Sequence, residues 1–338
     1  MQDKPTAPVT GASQGTGLQD HALIGKAANI FVTAPTPVVS VSPVVLPAPG
    51  RAVGLQMRVS APATGRGLPI ILLSHGQGRS NHLSSLNGYG PLVNFWAAHG
   101  FVVIQPTHLS SRTLSFGPET PGAPLFWRSR VEDMKRILDH LDIIEASVPE
   151  ITGRLDRSRI AVAGHSMGGH TAGMLLGARL TDPEDGTVVD LAEPRVKAGV
   201  LLAAPGNGGA DLSAWAVENV PFFRHPSFAE MTTPTLVVVG DEDASPHLTV
   251  RGADWHADPY FLSPGPKCLL TLFGAGHGLG GISGYDAAET TDESIERVAA
   301  VQRLTSAYLR TALYPEDPAW PAACAALAKT GLGRVECK

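Results

Sequence analysis

Short apolar runs alternate with longer amphipathic or Ala/Leu-rich stretches through most of the chain. The short runs are rich in Val, Ile and Leu without polar interruption, which is typical of strands buried on both faces. The stretch 128–144 has apolar residues at helical spacing, so one face of a helix would be buried. We predict strands at 38–46, 52–59, 69–74, 101–105, 159–163, 198–204, 235–239 and 269–273, and helices at 91–98, 128–144, 171–178 and 293–313.

Strands that alternate with helices predict an α/β fold with a mostly parallel, doubly wound sheet and helices on both faces. The first two strands are joined by a short Pro/Gly-rich turn and are expected to pair antiparallel. The chain has no internal repeat and no second start of the sheet pattern. We therefore predict one domain over 29–314, preceded by a disordered or loosely attached arm over 1–28 and followed by a Pro/Ala-rich tail over 315–338.

The composition narrows the possible partners and location. A chain of 338 residues with 43% hydrophobic residues can bury a sizeable core, and a net charge of −5 without a Lys/Arg cluster argues against nucleic acid as a partner. The longest uncharged stretch, 27–50, is interrupted by prolines, which argues against a membrane helix. The segment 1–8 resembles the start of a mature secreted protein with an added Met, so a secreted or periplasmic location is favoured over the cytoplasm.

The chain has three cysteines, and their spacing fits no zinc motif. Cys268 falls in an apolar run and is expected to be a buried thiol. Cys324 and Cys337 lie close together in the chain. We expect these two to form a disulfide if the protein is exported.

One stretch, Gly164-His165-Ser166-Met167-Gly168, stands between an apolar run and an Ala/Leu-rich run. A strand that turns sharply into a helix would hold Ser166 in a tight bend with its hydroxyl exposed. The two glycines remove side chains that would clash there. The N-terminus of the following helix would stabilise negative charge beside the hydroxyl. The pattern therefore predicts a nucleophilic serine.

A serine hydroxyl needs a base within hydrogen-bond reach and an acid that orients the base. In an α/β sheet such groups collect after the carboxyl ends of strands. His277 follows the predicted strand 269–273, and three acids, Asp241, Glu242 and Asp243, follow the strand 235–239. Asp241 could instead bond turn amides and Glu242 could point to solvent, whereas Asp243 can lean towards His277, which makes Asp243 the favoured acid.

Three motifs together resemble the α/β-hydrolase superfamily: Gly-His-Ser-Met-Gly-Gly at 164–169, Gly-Asp-Glu-Asp at 240–243 and Gly-Ala-Gly-His at 274–277. The sequence Leu-Ser-His-Gly-Gln-Gly at 73–78 is similar to the oxyanion loop of the chlorophyllase-like, platelet-activating-factor-acetylhydrolase-like and dienelactone-hydrolase-like branches. Bacterial polyester hydrolases are similar around the serine motif. The resemblance is specific for the fold and the triad and says little about the substrate.

The resemblance implies an oxyanion hole formed by the backbone N–H groups of Gln77 and Met167. It also implies an acid about three residues after a glycine of this kind, which again selects Asp243. His75 is then expected to brace the oxyanion loop, and His165 to pack beneath the serine turn.

The implied function is a serine esterase that forms an acyl-enzyme on Ser166 with His277 as base and uses no metal or organic cofactor. The substrate would be a small-molecule or polymeric ester, with His108, Trp127 and Phe223 as candidate substrate contacts. A lyase, a haloperoxidase or an amidase on the same fold is the alternative within enzymes. A catalytically dead binding protein is the alternative from another class.

Overall fold

The computed structural model describes residues 22–285 and 287–338. The strands, in chain order, are Val38–Leu46 (β1), Leu55–Pro62 (β2), Leu68–Ser74 (β3), Val102–Pro106 (β4), Leu155–His165 (β5), Arg179–Thr181 (β6), Val188–Asp190 (β7), Val196–Leu202 (β8), Pro226–Ser227 (β9), Thr235–Gly240 (β10), Lys267–Leu272 (β11) and Gly333–Cys337 (β12). The α-helices are Gly90–Ala98 (α1), Trp127–Asp139 (α2), Leu141–Ser147 (α3), Met167–Leu175 (α4), Ala214–Asn219 (α5), Asp258–Phe261 (α6), Ile295–Leu313 (α7) and Ala319–Leu327 (α8).

Nine of these strands form one central sheet in the order β1-β2-β4-β3-β5-β8-β10-β11-β12. The strands from β4 to β11 in this order run parallel, whereas β1 and β2 at one edge and β12 at the other run antiparallel to their neighbours. A short sheet of β6, β7 and β9 lies apart from it and contains the acidic stretch after α4. The predicted α/β-hydrolase fold, with its first two strands antiparallel, is confirmed.

The central strands are buried on both faces, as their uninterrupted apolar sequences predict. In β5, Ile160 and Val162 pack into the core that contains α2, α3 and α4, while Ala161 and Ala163 pack into the core that contains α1, α7 and α8. Successive side chains of a strand point to opposite faces, so a one-residue slip would exchange the two sets. Each fully buried Ile or Val stabilises the fold by about 1.5–3 kcal/mol relative to an exposed one.

The carboxyl ends of the parallel strands lie in register along one edge of the sheet. Ser74 at the end of β3 pairs with Gly164 near the end of β5, and His165 pairs with Leu202 at the end of β8. Gly240 at the end of β10 pairs with the last residue of β11. Because the motifs found in the sequence follow these ends, the sheet gathers them at one edge.

The helix predicted over 128–144 is two helices, α2 and α3, which meet at His140. His140 has a non-helical φ of −125°, and its side chain bonds back to the carbonyl of Arg136 at 2.9 Å. Within the described part of the chain, no helix is both long and apolar enough to cross a membrane.

The chain segments outside the predicted domain are packed onto it where the structure describes them. Residues 1–21 of the predicted arm lie outside the described residues, but Ala22–Asn29 is a kinked 3-10 helix against α7, and Ala27 is fully buried. The segment 315–338, predicted as a tail, instead provides α8, which packs on α7, and β12, which completes the sheet. The Pro/Ala-rich composition did not predict these two elements, because a short edge strand and an Ala-rich helix have little sequence signature of their own.

A disulfide joins Cys268 in β11 to Cys337 in β12. The predicted Cys324–Cys337 bond is therefore wrong, and so is the prediction that Cys268 is a free thiol. Antiparallel pairing sets Cys268 directly opposite Cys337, whereas Cys324 lies on α8 as a half-buried free thiol. Burial raises the pKa of the Cys324 thiol to about 11.

We expect Cys337→Ser to lower the free energy of unfolding by about 2–4 kcal/mol, because the bond closes a loop of 69 residues and so restricts the unfolded chain. Chemical denaturation of the oxidised protein measures the loss, with Cys324→Ser as the control that should change little. Thiol alkylation before reduction, followed by peptide mass spectrometry, should modify Cys324 alone. Alkylation of Cys268 and Cys337 in air-oxidised protein would contradict the pairing.

Candidate active site

Ser166 lies at a sharp turn between the end of β5 and the start of α4. Its backbone is at φ 55° and ψ −120°, a left-handed conformation that strains any residue with a Cβ. The turn is held because the Ser166 N–H donates to the carbonyl of Leu202 at 2.9 Å and the Ser166 carbonyl accepts from the N–H of Gly169 at 2.8 Å. The side chain is half-buried at the sheet edge. This is the strand, turn and helix that the sequence predicts.

The turn requires glycine on both sides because backbone segments touch there. A Cβ on Gly164 would lie 1.9 Å from the carbonyl oxygen of Gly168. A Cβ on Gly168 would lie 2.0 Å from the carbonyl oxygen of Ser74 and 2.8 Å from that of His75. The start of α4 therefore packs directly on the backbone that leads into the predicted oxyanion loop.

His277 is hydrogen-bonded to a buried carboxylate. Its Nδ1 lies 2.9 Å from Oδ2 and 3.1 Å from Oδ1 of Asp243. Burial alone would raise the pKa of Asp243, but hydrogen bonds from His256 and His277 outweigh it and hold that pKa well below its usual range. The ionised carboxylate can only accept, so Nδ1 of His277 carries the proton and Nε2 is left as the acceptor. The His277 side chain is 37% exposed, so the ring that carries Nε2 is partly accessible to solvent.

The two neighbouring acids do different things. Oδ1 of Asp241 accepts from the backbone N–H of Gly274 at 2.7 Å and so ties the turn after β10 to the turn after β11. The side chain of Glu242 is exposed, and its backbone N–H donates to the carbonyl of Ala275. Of the three candidates, Asp243 is the one whose carboxylate contacts His277.

A second histidine, His256, also faces Asp243 and was missed by sequence reasoning. Its Nδ1 donates to the carbonyl of Ala204 at 2.8 Å, and its Nε2 lies 3.3 Å from Oδ2 of Asp243. It sits in the 3-10 helix Ala253–Ala257, where no motif surrounds it. Asp243, His256 and His277 bring possible metal-ligand atoms within 4.8 Å of one another, but a metal ion there would compete with the Asp243–His277 hydrogen bond.

The backbone around His277 is held from two sides. Oδ2 of Asp292 accepts from the N–H groups of Gly276 and Gly280, both at 2.8 Å. The His277 carbonyl accepts from Nε2 of His165 at 2.8 Å. The residue before Ser166 thus contacts His277 directly, which brings the predicted base beside the serine turn.

Tyr89 and His165 connect the His277 loop to the predicted oxyanion loop. Because Nε2 of His165 donates to a carbonyl, its Nδ1 must accept, so the Tyr89 hydroxyl donates to Nδ1 at 2.8 Å. The same hydroxyl accepts from the backbone N–H of Gly76 at 2.9 Å. Burial lowers the pKa of His165 to about 3, so this chain of hydrogen bonds stays neutral at ordinary pH.

His75 braces the predicted oxyanion loop, as expected. Its Nδ1 donates to the carbonyl of Gly76 at 2.7 Å, while its Nε2 accepts from the backbone N–H of His108 at 3.1 Å. The Gly76 carbonyl and the Gln77 N–H belong to one planar trans peptide and point in opposite directions. The bond from His75 therefore fixes the direction of the Gln77 N–H. Burial, with Arg130 and His108 adding to it, lowers the pKa of His75 well below its usual range.

His108 does not line a substrate pocket, so that prediction is wrong. Its side chain is fully buried, with Nε2 2.9 Å from Oγ of Ser74 and Nδ1 2.9 Å from Oδ2 of Asp133. Arg51 pairs with the same carboxylate at 2.9 Å. Ser74, His108 and Asp133 thus form a second set of Ser, His and Asp, here called the buried relay, which is closed to solvent. The position of His108 after a strand does not reveal whether its side chain is buried or lines a pocket.

The fully buried guanidinium of Arg130 on α2 bonds to both sides of the predicted oxyanion hole. On one side Nη2 donates to the carbonyl of His75. On the other side Nε donates to Oγ1 of Thr171 at 3.0 Å, and that hydroxyl donates to the carbonyl of Met167 at 3.1 Å. Nη1 donates to Oγ of Ser110 at 2.6 Å. Burial lowers the pKa of Arg130 to about 9, so the group remains largely charged at neutral pH.

The remaining predicted residues have the following places. Met167 is the first residue of α4 and Gln77 follows β3, and among the described residues no acceptor is found for the backbone N–H of either. Trp127 stacks on Phe222 with ring centroids 5.9 Å apart. Phe223 is buried against His170, with centroids 5.2 Å apart. Substrate contact by Trp127 or Phe223 stays a prediction.

The chain is similar to bacterial cutinases. It is 29% identical over 184 residues to cutinase est2 of Thermobifida alba, cutinase 1 of Thermobifida cellulosilytica and a cutinase of Thermobifida fusca. The match covers 54% of this chain and 45%, 51% and 44% of the three relatives. The chain thus spans about half the length of the relatives it matches. No protein-family model matches the chain. The predicted resemblance to α/β-hydrolases of the ester-cleaving kind is confirmed by these relatives.

We expect Arg130→Lys to lower the free energy of unfolding by about 3 kcal/mol, because an ammonium cannot reach the acceptors that the guanidinium bridges and leaves them unpaired. The control is Arg128→Lys, two residues earlier in α2. Its partly exposed side chain pairs with Asp182, so the change should alter stability by less than about 0.5 kcal/mol. Urea unfolding followed by circular dichroism measures both. Equal losses in the two variants would contradict the bridging role.

Proposed function

We propose that this chain is a serine hydrolase that cleaves carboxylic esters, with Ser166 as nucleophile, His277 as general base and Asp243 as the acid that orients it. The observation that carries the proposal is the hydrogen bond between the buried Asp243 and the partly exposed His277. The backbone of His277 is in turn bonded by His165, the residue before the strained turn at Ser166. The similarity to cutinases over about half of the chain supports an ester as the bond that is cleaved.

In acylation, Nε2 of His277 removes the proton from the Ser166 hydroxyl as Oγ attacks the ester carbonyl. Asp243 stays ionised and stabilises the imidazolium that forms, since its pKa lies below the usual range and the reaction does not protonate it. His277 then gives its proton to the leaving alcohol. Water repeats the sequence on the acyl-enzyme, with His277 again as base, and releases the acid.

Negative charge on the tetrahedral oxygen would be stabilised by the backbone N–H groups of Gln77 and Met167. Their lack of acceptors among the described residues suits donors that wait for a substrate oxygen. The His75 bond to the Gly76 carbonyl fixes one donor, and the start of α4 fixes the other. Donors that need no reorganisation at the moment of reaction are typically worth several kcal/mol of barrier.

The buried relay is proposed to be structural. Ser74 is fully buried, as is His108, so no ester could approach its hydroxyl. Ser166, by contrast, is half-buried at the sheet edge beside a partly exposed histidine. Nucleophilic activity therefore belongs to Ser166.

We also propose that the protein works in an oxidising compartment, as expected for export. The Cys268–Cys337 disulfide supports this, since such bonds persist outside the reducing cytosol.

We expect a fluorophosphonate to attach to Ser166, and Ser166→Ala to lower ester hydrolysis by a factor on the order of 10^3 or more. Steady-state kinetics on a para-nitrophenyl ester and mass spectrometry of the labelled peptide measure both effects. Ser74→Ala is the matched control, since it removes the serine of the buried relay and should leave the label on Ser166. A label on Ser74, or near-normal turnover by Ser166→Ala, would overturn the proposal.

We expect Asp243→Asn to lower kcat by up to ~10^4, because the imidazole loses the charge that orients it and stabilises its protonated form. Asp241→Asn is its neighbour control, and it should cost about 1 kcal/mol of stability through the weakened bond to the Gly274 N–H, with kcat little changed. Kinetics on the two purified variants settle the assignment. An inactive Asp241→Asn beside an active Asp243→Asn would reverse it.

A further inference from the structure

A cavity of about 480 Å³ opens beside Gln77, between the oxyanion loop and the long segment 109–126. Its size is within the range of small-molecule sites. The apolar wall of the cavity includes Leu109, Phe116 and Phe126, and the two phenyl rings meet edge to face at 6.1 Å. The lining also has polar residues, among them Arg112.

The segment that carries Arg112 is fixed in place by two hydrogen bonds to Ser84. The backbone N–H of Arg112 donates to Oγ of Ser84 at 3.2 Å. The preceding Ser111 hydroxyl donates to the Ser84 carbonyl at 2.8 Å. The segment that carries Arg112 is therefore anchored to a buried part of the fold rather than left loose, which reduces the entropy cost of binding against it.

Arg112 supplies the charge of this lining. Arg112 is exposed, and the hydrogen bonds found for it among the described residues use its backbone N–H and carbonyl and leave the guanidinium without an acceptor. Glu119, on the same segment, places its carboxylate against Gly117 rather than on Arg112. A planar guanidinium without a partner matches a carboxylate, which it can bind with two parallel hydrogen bonds.

We propose that this cavity binds one arm of the ester substrate and selects an arm that ends in a carboxylate after a short hydrocarbon spacer. The apolar wall would cover the spacer, and Arg112 would bind the carboxylate. Gln77 lines this cavity and its backbone N–H is the proposed oxyanion donor, so the cavity adjoins one side of the proposed oxyanion hole. This inference rests on the proposed esterase function and names its substrate class.

The test compares esters of equal length that differ in the terminal carboxylate. In the first pair, mono-para-nitrophenyl glutarate carries a carboxylate at the end of the acyl arm, and para-nitrophenyl pentanoate is its neutral counterpart. The second pair consists of two butyrate esters, one of a nitrophenol that bears a carboxylate and one of the same nitrophenol without it. This pair tests the alcohol arm. In at least one pair we expect Arg112→Gln to lower kcat/KM for the charged ester about fivefold, mainly through KM, and to change the neutral ester less than about twofold.

Two controls separate a local contact from the overall charge of the protein. Arg66→Gln removes an exposed arginine from the turn before β3, at the amino ends of the strands, and should leave the ratio of charged to neutral ester unchanged. Glu119→Gln should leave the ratio unchanged or raise it. The proposal is overturned if Arg112→Gln leaves the ratio unchanged in both pairs, or if Arg66→Gln shifts it equally.

A binding measurement distinguishes this inference from the esterase function itself. Glutaryl-para-nitroanilide, an amide analogue, is titrated into the Ser166→Ala protein with and without Arg112→Gln. Weaker binding when Arg112→Gln is added to the Ser166→Ala protein supports the proposed carboxylate site. If the unmodified enzyme at the same time hydrolyses no ester, the esterase proposal alone fails. Hydrolysis of neutral esters with no effect of Arg112 on binding or kinetics leaves the esterase proposal standing and rejects the site.

Discussion

The fully buried guanidinium of Arg130 constrains how the chain segments at the carboxyl ends of the strands can be placed. A buried charge is tolerated only where its donors are bonded, so the acceptors around it must stay in place. Those acceptors belong to different parts of the chain: the His75 carbonyl, the Ser110 hydroxyl and, through the Thr171 hydroxyl, the first turn of α4. Moving any one of these segments would leave a buried polar group unpaired. The serine turn and the predicted oxyanion loop are consequently held at one fixed separation.

The histidines around this constraint do not compete for protons. Burial lowers the pKa values of His75, His108 and His165, so each remains neutral and serves as a fixed donor and acceptor. Neutral rings in definite tautomers can carry hydrogen bonds from one loop to the next without changing with pH. His277 differs because it is partly exposed and faces an ionised carboxylate. In the proposed reaction His277 therefore moves the proton, while the buried rings keep their hydrogen bonds.

Local patterns predicted the fold and the centre of the site, and long-range pairing decided what they missed. The strands, the turn at Ser166 and the order of acid and histidine follow from short apolar runs and glycines, which act within a few residues. The register of β11 with β12 pairs Cys268 with Cys337, and no local pattern contains that register. The contact of His256 with Asp243 likewise depends on how a short helix packs against the sheet edge.

The buried relay of Ser74, His108 and Asp133 and the proposed triad of Ser166, His277 and Asp243 show why residue types and distances do not by themselves define a catalytic site. Both have a histidine Nδ1 2.9 Å from a carboxylate oxygen, at Asp133 and at Asp243. They differ in surroundings. The relay of Ser74 is sealed, its hydroxyl also accepts from Arg130, and its carboxylate is paired with Arg51 and has its pKa raised to about 6 by burial. At Asp243 two histidines bond the carboxylate, and no arginine in the described part of the chain does, so the charge of Asp243 faces the proposed base, His277. A triad can act as a catalytic centre where its histidine meets solvent and unpaired backbone donors, and the proposed function of this chain rests on those conditions at the sheet edge beside Ser166.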